Sequence, residues 1–415
     1  MVTINSPLTT FFCRSCDSQR GRLVLDLGVQ PLANNLLTPS DLDKPEPKFP
    51  LRVALCEACW LLQITDTVPP VELYGEYLYF SSFSDAALRH AAEAVEKHRR
   101  EFALGPESFV VEIASNDGYL LRNFVAAGVP CLGIEPAANI ARAAIECGVP
   151  TISRFFGREL AAELLNEGRQ ADLILGNNVF AHVPDPNGFL DGCATLLKPG
   201  GHIILEFPYV CDLVENVEFD TIYHEHVFYF SLTSLQSPFA RHNLEIIGVE
   251  HLPIHGGSLR LYAGRRGVHP VRPEVHLLLS EEHAKGVASG GYYEDFGSRA
   301  CGIRDDLLHL LRKLKAGSNS IAAYGASAKG STLLNFCALG SETLDFVADR
   351  STAKQGRLTP GGHLPIVAAA ELTKRQPDYT VLLTWNFAEE ILSQQEAYRD
   401  AGGKFVIPIP QVIVV

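Results

Sequence analysis

Residues 86–300 show two alternating patterns of hydrophobic and polar positions. The stretch AALRHAAEAVEKHRREFAL, residues 86–104, places apolar residues at helical spacing, and the apolar run SFVVEIA that follows is typical of a buried strand. The alternation continues through GYLLRNFVAAG, CLGIEP, ADLILGNN, FLDGCATLLKPGG and HIILEFP, where Pro-Gly-Gly closes the last predicted helix. Strands that alternate with helices predict an α/β fold with a doubly wound, mainly parallel sheet.

A second, shorter α/β series begins near residue 320. SIAAYGAS predicts a strand followed by a glycine-bearing turn, AKGSTLLNFCAL predicts a helix, and LDFVADR and YTVLLTWN predict two further strands. About 100 residues are enough for a separately folded domain. We therefore predict three domains, at residues 1–85, 86–300 and 301–415, of which the last is Rossmann-like.

Four cysteines in the first domain form two C-x2-C pairs. FFCRSCDS contains Cys13 and Cys16, and ALCEACWL contains Cys56 and Cys59. Two such pairs are typical of a tetrahedral zinc site, and four thiolate ligands leave no open position for a substrate. We therefore predict a structural zinc ion, with accidental clustering of the cysteines as the alternative.

Composition disfavours several classes of protein. The chain is 47% hydrophobic and 20% charged, as ordinary globular proteins are, and its net charge of −13 argues against a broad surface for nucleic acid. Uninterrupted apolar runs stay shorter than the ~18 residues of a membrane helix. The N-terminus lacks the pattern of a secretory signal. We expect a cytoplasmic protein without a membrane or nucleic-acid partner.

The stretch VVEIASNDGYLL, residues 110–121, predicts a strand, a tight turn and the start of a helix. Its turn is not G-x-G-x-x-G, so it does not suit the close approach of a dinucleotide pyrophosphate. Polar side chains in the turn suit an amino-acid moiety, which favours S-adenosylmethionine over NAD. Glu135 ends the next predicted strand, where a carboxylate can accept both ribose hydroxyls.

Two phenylalanines after that strand, Phe155 and Phe156, could flank an adenine, with a place in the core as the alternative. The residues predicted to bind the cofactor are Glu112, Ala114, Ser115, Asn116, Gly118, Glu135, Pro136, Phe155, Phe156, Asn177 and Asn178.

The stretch FDTIYHEHVFYFS, residues 219–231, places ionisable groups against aromatic ones; we call it the YHEH segment. Such surroundings can shift pKa values towards neutrality, which makes these groups candidates for proton transfer. In an extended backbone Tyr223 and His226 would point to opposite faces, so a site that contains both requires a turn. The alternative is structural, with buried polar groups that satisfy one another.

Together these motifs resemble a known family. VVEIASNDGYLL, GIEP, ADLILGNNVFAHVPDP and LLKPGGHIILEFP look like a class I methyltransferase domain. With the cysteine pairs, the YHEH segment and YGASAKGSTLLN, the whole chain resembles three-domain sugar C-methyltransferases of deoxysugar pathways. The resemblance implies methyl transfer from S-adenosylmethionine to a ring carbon, usually C3, of a nucleotide-linked 4-keto-6-deoxysugar. The expected nucleotide is thymidine diphosphate, and the expected protein is a monomer or small homo-oligomer.

That reaction needs a base near C3 and hydrogen-bond donors near the C4 ketone oxygen. The resemblance makes His226 the expected base, since its imidazole is available near pH 7. Tyr223 is expected to stabilise the enolate, and Glu225 to orient His226 or to hold a substrate hydroxyl or amine. His182 is expected where substrate meets the methyl donor, with a helix cap as the alternative. Tyr77 is expected at the same cleft, with a core position as the alternative.

The nucleotide end of the substrate needs further contacts. Lys329, near a predicted helix N-terminus in YGASAKGS, is expected to seat a phosphate, and Arg260 in HGGSLR to contact phosphate or sugar. For both stretches the alternative is a tight turn kept for folding. The residues predicted to bind substrate are His224, Gly257, Ser258, Arg260, Tyr324, Gly325, Ser327 and Lys329.

Three other functions share some of these features. An O- or N-methyltransferase would have the same fold and cofactor. A zinc-ribbon module with an inactive methyltransferase core could contact RNA, although the acidic net charge disfavours this. An NAD-dependent sugar reductase is disfavoured by the turn. The sequence leaves open which sugar is methylated, whether C3 or C5 is the acceptor, and whether His224 or His226 is the base.

Overall fold

The computed structural model of the 415-residue chain describes residues 7–8, 10–74 and 79–415, with the backbone alone for Tyr74 and His255. Tyr77, predicted to reach the substrate cleft, lies outside the described residues.

An antiparallel sheet forms the N-terminal domain. It contains β1 (Gly21–Pro31), β2 (Lys48–Cys56) and β3 (Leu62–Ile64), paired in that order. Helix α1 (Pro70–Tyr74) follows, and then α2 (Asp85–Glu101), whose first turn is capped by the Ser84 hydroxyl. Helix α2 is the predicted amphipathic helix, and its apolar face is buried against the next domain.

The second domain is the predicted doubly wound α/β unit. Its elements are β4 (Val110–Ile113), α3 (Leu121–Ala126), β5 (Cys131–Ile134), α4 (Ala138–Glu146), β6 (Thr151–Ile152), α5 (Arg158–Asn166), β7 (Ala171–Asn177), α6 (Pro186–Leu196), β8 (Leu197–Pro208), α7 (Val210–Glu215), β9 (Phe228–Tyr229), α8 (Leu232–Arg241), β10 (Leu244–Leu252), β11 (Ser258–Arg265), α9 (Pro273–Lys285) and α10 (Phe296–Ala316).

Seven of these strands form one sheet in the order β10-β11-β8-β7-β4-β5-β6. The five from β8 to β6 are parallel, which confirms the predicted doubly wound class, while β11 and β10 extend the sheet antiparallel. The Pro-Gly-Gly turn expected after α6 is instead part of β8. Leu197 already pairs with Ala171, and a side chain on Gly201 would meet the Ala171 carbonyl oxygen at 2.9 Å.

The C-terminal domain contains a six-stranded sheet. Its elements are β12 (Ile321–Tyr324), α11 (Ala328–Phe336), β13 (Val347–Asp349), β14 (Ile366–Ala368), α12 (Ala370–Arg375), β15 (Tyr379–Leu382), α13 (Ala388–Gln394), α14 (Glu396–Asp400), β16 (Lys404–Ile407) and β17 (Ile413–Val414). The order β14-β13-β12-β15-β16-β17, with the first five strands parallel, is Rossmann-like as predicted. Since α10 runs through residues 300 and 301, the boundary there stays a prediction.

The domains share strands and contacts. Strand β9 leaves the second domain and pairs with β3, so it completes a four-stranded sheet with the N-terminal domain. Leu37 of the N-terminal domain exchanges two backbone hydrogen bonds with Leu358 of the C-terminal domain. The Glu46 carboxylate accepts from the Gly361 amide at 2.9 Å. The N-terminal domain therefore contacts both other domains.

Within the described parts of the chain, no helix has the length and apolar character needed to cross a membrane.

Candidate active site

The four predicted zinc ligands lie together. The sulfur atoms of Cys13, Cys16, Cys56 and Cys59 are all within 4.8 Å of one another, with two pairs at 3.6 Å. Zinc–sulfur bonds of ~2.3 Å in a tetrahedron place sulfurs ~3.8 Å apart, so the cluster fits a zinc ion. The four cysteine ligands form two matching turns, in which the Asp17 and Trp60 amides donate to the Cys13 and Cys56 carbonyls.

Arg14 connects the zinc site to β3. It follows the first ligand, and its guanidinium donates to the Ile64 carbonyl at 2.8 Å and to the Thr65 carbonyl at 3.1 Å. The Ile64 amide in turn donates to the Val227 carbonyl at 3.0 Å, at the start of β9. A continuous series of contacts therefore runs from the metal ligands to the YHEH segment.

The predicted cofactor loop joins β4 to α3. Ala114, Asn116 and Gly118 have φ values of 56°, 50° and 77°, which are left-handed conformations. A side chain on Gly118 would also meet Val149 at 2.8 Å, so glycine is needed there for packing as well as conformation. The loop thereby reverses the chain at the carboxyl end of β4, where doubly wound sheets bind ligands.

Glu112, at the end of β4, is buried, and neither carboxylate oxygen has a hydrogen-bond partner among the described residues. Burial, with the nearby charges of Glu135, Asp117 and Glu206, raises its pKa well above the usual range. A buried acidic group without a donor is costly unless a ligand supplies one. S-adenosylmethionine carries an ammonium and a sulfonium charge, so the loop fits this cofactor.

Glu135 lies beside Glu112, at the end of β5. Its two oxygens accept from the Ala137 amide at 2.8 Å and the Asn116 amide at 3.0 Å. Each carboxylate oxygen keeps a second lone pair, so the ribose hydroxyls predicted here can still be accepted. Pro136 lies between these two contacts, and its carbonyl accepts from the Ser153 hydroxyl.

Two predicted cofactor contacts need correction. The Ser115 hydroxyl is buried beneath the loop, where a side chain on Gly133 would meet it at 2.4 Å, so it faces the sheet. The Phe156 ring packs edge-on against Phe189 at 5.6 Å, which favours the core interpretation. Phe155 is 52% exposed and remains the aromatic candidate for adenine.

Asn116 of the cofactor loop contacts the end of the N-terminal domain, and two further predicted residues lie at the end of β7. The Asn116 side chain accepts from the Ser81 amide at 2.9 Å and donates to the Tyr79 carbonyl at 3.1 Å. Asn177 ends β7, and Asn178, with φ of 53°, donates its amide to the Glu206 carbonyl at 2.7 Å. Asn177 and Asn178 therefore lie at the same edge of the sheet as Glu112.

A turn brings Tyr223 and His226 together, as a shared site requires. The His226 amide donates to the Tyr223 carbonyl at 2.9 Å, and the Tyr223 hydroxyl lies 2.7 Å from His226 Nε2. The other ring nitrogen, Nδ1, lies 2.8 Å from the Thr221 carbonyl. Because a carbonyl only accepts, Nδ1 carries the hydrogen and Nε2 is the basic nitrogen.

His182 faces the same pair. It ends the short 3₁₀ turn Phe180–His182 after β7, and its ring centroid is 4.7 Å from that of His226. Burial lowers its pKa to about 4, so it is neutral near pH 7. The N-terminus of α6 is capped by Asp185, which accepts from the Gly188 amide at 2.8 Å. The capping alternative for His182 therefore falls away.

His224 and Glu225, in the middle of the turn, contact the N-terminal domain. His224 Nε2 donates to the Pro50 carbonyl at 3.2 Å, and its ring packs edge-on against Phe49. The predicted substrate contact of His224 is thus corrected to a domain contact. Glu225 accepts from the Asn34 side-chain amide at 2.7 Å.

Sequence reasoning missed three residues that form the contacts at the start of the YHEH segment. Asp220 is fully buried and accepts from Trp385 Nε1 at 2.7 Å, while the Thr332 hydroxyl donates to the Ile222 carbonyl at 3.1 Å. Burial raises the pKa of Asp220 to about 6. The available signal was Asp220 itself, an acidic residue in the otherwise apolar or neutral run FDTIY.

Lys329 lies close to this contact. Its ammonium is 3.1 Å from Asn386 Oδ1 and 4.5 Å above the Trp385 ring. Burial lowers its pKa, against the opposing effect of Asp220 and Glu218. Lys329 is in the first turn of α11, where phosphate binding remains a proposal.

The HGGSLR stretch has structural contacts instead of the predicted substrate role. Arg260 is buried in an ion pair with Glu206 at 2.6 Å and with Glu250 at 3.2 Å, so its guanidinium is not directed to a ligand. The Ser258 hydroxyl is buried and donates to the Ile254 carbonyl. A side chain on Gly257 would collide with Asp212 at 2.1 Å, which supports the tight-turn alternative.

The YGASAKGS stretch also has internal contacts. Ser327 caps α11 by accepting from the Gly330 amide at 3.1 Å, and Gly325, with φ of 93°, packs against Thr384. The buried Tyr324 hydroxyl accepts from the Gln395 side chain at 3.3 Å, which corrects its predicted substrate contact to a core contact.

Known family models match three parts of the chain. A model described as "Putative zinc binding domain" matches residues 13–74, and one described as "Methyltransferase domain" matches residues 87–249. A third, described as "C-methyltransferase C-terminal domain", matches residues 253–410. The first match contains the four-cysteine cluster, and the second contains the cofactor loop and the YHEH segment.

A curated relative matches nearly the full chain. The C-methyltransferase NovU of Streptomyces niveus is 37% identical over 404 residues, which span 97% of this chain and 96% of NovU. A ubiquinone biosynthesis O-methyltransferase of Cupriavidus pinatubonensis is 32% identical over 102 residues, 23% of this chain and 39% of that protein. The solved magnesium protoporphyrin IX methyltransferase of Synechocystis is 16% identical and covers 43% of this chain and 83% of its own, with a TM-score of 0.35.

Replacing one zinc ligand tests the metal site. Cys56→Ser should lower the zinc content below one ion per chain and lower the melting temperature, because structural zinc contributes folding free energy. Elemental analysis and thermal unfolding measure both. Cys147→Ser is the matched control, since Cys147 is exposed and outside the cluster. Full zinc content and an unchanged melting temperature in Cys56→Ser would exclude this ligand set.

Glu112→Gln tests the cofactor loop. The amide removes the charge that a bound ammonium needs, so S-adenosylhomocysteine should bind about 1–3 kcal/mol more weakly in calorimetry. The melting temperature of the free protein should not fall, because the substitution also removes repulsion from Glu135 and Asp117. Glu163→Gln, on the exposed surface of α5, is the control. An unchanged dissociation constant would place the amino-acid moiety elsewhere.

Proposed function

The chain belongs to the C-methyltransferase family that includes NovU, and from this premise we propose that it methylates C3 of a nucleotide-linked 4-keto-6-deoxysugar. The proposed nucleotide is thymidine diphosphate. Enzyme class and methyl donor follow from the family, since members transfer a methyl group from S-adenosylmethionine to carbon. The acceptor, the position of methylation and the residue roles are the proposal.

The observation that carries the proposal is the contact between Tyr223 and His226, 2.7 Å from oxygen to nitrogen. Carbon bound to hydrogen is a poor nucleophile until a proton leaves. A neighbouring ketone makes that proton acidic, because the charge is delocalised onto its oxygen. A basic nitrogen beside a hydroxyl donor therefore supplies both groups that enolate formation needs.

In the proposed reaction, His226 Nε2 takes the proton from C3 and the C–H electron pair forms an enolate with the C4 oxygen. The Tyr223 hydroxyl, which points to Nε2 in this structure, turns to the ketone oxygen and donates to it. The hydrogen bond from Nδ1 to the Thr221 carbonyl then stabilises the imidazolium that forms. His182 is neutral beside it, so it does not oppose that charge.

When bound, S-adenosylmethionine would supply an electrophilic methyl group to the enolate carbon, and its sulfonium would leave as a thioether. Glu112 is proposed to hold the ammonium of this cofactor, and Glu135 its ribose. Glu225, buried between Asn34 and the site, is proposed to orient the substrate. Lys329 is proposed to seat a phosphate, since its ammonium lies 4.5 Å above the ring of Trp385, which donates to Asp220 in the YHEH segment. Methyl transfer itself then needs alignment and exclusion of water.

The acceptor carbon is tested with thymidine diphosphate-linked 4-keto-6-deoxyglucose and isotope-labelled S-adenosylmethionine. Product NMR should place the label on C3, and without methyl donor the C3 proton should exchange with deuterated solvent. C5 is also adjacent to the ketone and is the competing acceptor. Label on C5 would overturn the proposed position of methylation. If the label is found on oxygen or nitrogen and no carbon-bound proton exchanges, the protein is an O- or N-methyltransferase.

The choice of base is tested by comparing two histidines. His226→Asn should lower kcat by about 10²–10⁴, the usual contribution of a positioned general base, and should abolish solvent exchange. His224→Asn should leave both near wild type, because His224 contacts the N-terminal domain. Tyr223→Phe should lower kcat without changing cofactor affinity. Equal losses in the two histidine variants would contradict the assignment, and no loss in either would move the base to another residue.

A further inference from the structure

The Thr221 carbonyl fixes the chemical state of His226. It accepts the Nδ1 hydrogen at 2.8 Å and so leaves Nε2 as the nitrogen that faces Tyr223. A small displacement of this carbonyl would rotate the imidazole, or would allow the hydrogen to move from Nδ1 to Nε2. A misplacement of about 1 Å can lower a rate by about 10²-fold, so whatever holds Thr221 affects catalysis.

The C-terminal domain holds the residues on both sides of Thr221. Trp385 donates its indole hydrogen to the Asp220 carboxylate at 2.7 Å, and Thr332 donates its hydroxyl hydrogen to the Ile222 carbonyl at 3.1 Å. Thr332 is in α11 and Trp385 begins the 3₁₀ turn Trp385–Phe387, so the two contacts come from separate elements of one domain. The donor and acceptor groups are all buried, where water cannot replace a lost partner.

We propose that Thr332 and Trp385 are positioning residues that align His226 through the Asp220-Thr221-Ile222 backbone. The C-terminal domain then has a second role beside substrate binding, because docking of this domain sets the geometry of the base in the neighbouring domain. This inference rests on the proposed role of His226 as the base.

Thr332→Val is the sharpest test, because valine has the shape of threonine without the hydroxyl. With thymidine diphosphate-linked 4-keto-6-deoxyglucose, kcat and the rate of solvent exchange should fall by about 10-fold or more, while KM and the affinity for S-adenosylhomocysteine stay unchanged. Thr332→Ser keeps the hydroxyl and should restore kcat. Thr380→Val is the matched control, since Thr380 is equally buried in this domain but bonds to Tyr398.

Trp385→Phe provides a second, independent variant, because it removes the indole donor and keeps an aromatic ring near Lys329. It should lower kcat in the same way. If Thr332→Val fails to fold, Trp385→Phe decides the question alone. A fall in kcat for Thr380→Val as large as that for Thr332→Val would show a general loss of stability and overturn the proposal.

Double substitution separates this inference from the proposed function. In a His226→Asn background, adding Thr332→Val should cause no further fall in kcat, because a positioning residue acts only through the base. An additive fall would overturn the positioning role. If His226→Asn lowers kcat but Thr332→Val and Trp385→Phe do not, the inference fails and the proposed function stands. If His226→Asn has no effect on kcat or exchange, the assignment of His226 as the base fails, and this inference fails with it.

Discussion

The geometry of the site depends on hydrogen bonds that reach the YHEH segment from all three domains. Its end is a strand of the N-terminal sheet, its middle contacts Asn34 and Pro50, and its beginning is held by Thr332 and Trp385. The segment belongs by sequence to the methyltransferase domain. Its conformation is therefore a joint property of the three domains, because contacts from each of them hold the turn in place.

In the free protein, the cofactor loop contains an unfavourable electrostatic interaction that a ligand could remove. Glu112, Asp117 and Glu135 lie close together and buried, and the pKa of Glu112 rises as a result. A buried acidic group without a donor among the described residues, such as Glu112, lowers the stability of a folded protein. A cationic ligand bound beside Glu112 would relieve this cost, so under the proposed role of Glu112 part of the binding free energy of S-adenosylmethionine comes from removing an unfavourable interaction in the free protein.

Sequence patterns predicted the features that depend on residues close in the chain. The cysteine spacing indicated the metal site, and the hydrophobic periodicity indicated both parallel sheets. The pairing of Tyr223 with His226 required a turn that the structure contains. The directions of His224 and Arg260 depended on partners far along the chain, and no local pattern indicates those. Trp385 and Asp220 are likewise 165 residues apart in sequence, so their contact is visible only in three dimensions.

The pairing of β9 with β3 has a consequence for the order in which the chain can fold. Leu62 pairs with Tyr229, so one edge of the N-terminal sheet stays without its strand until the ribosome has made most of the methyltransferase domain. An unpaired edge strand is a site for incorrect association between chains. Zinc can already hold the two cysteine turns together while that edge is still unpaired. During synthesis, the four-cysteine cluster can therefore form before the sheet is complete, and the last strand of that sheet arrives with the YHEH segment.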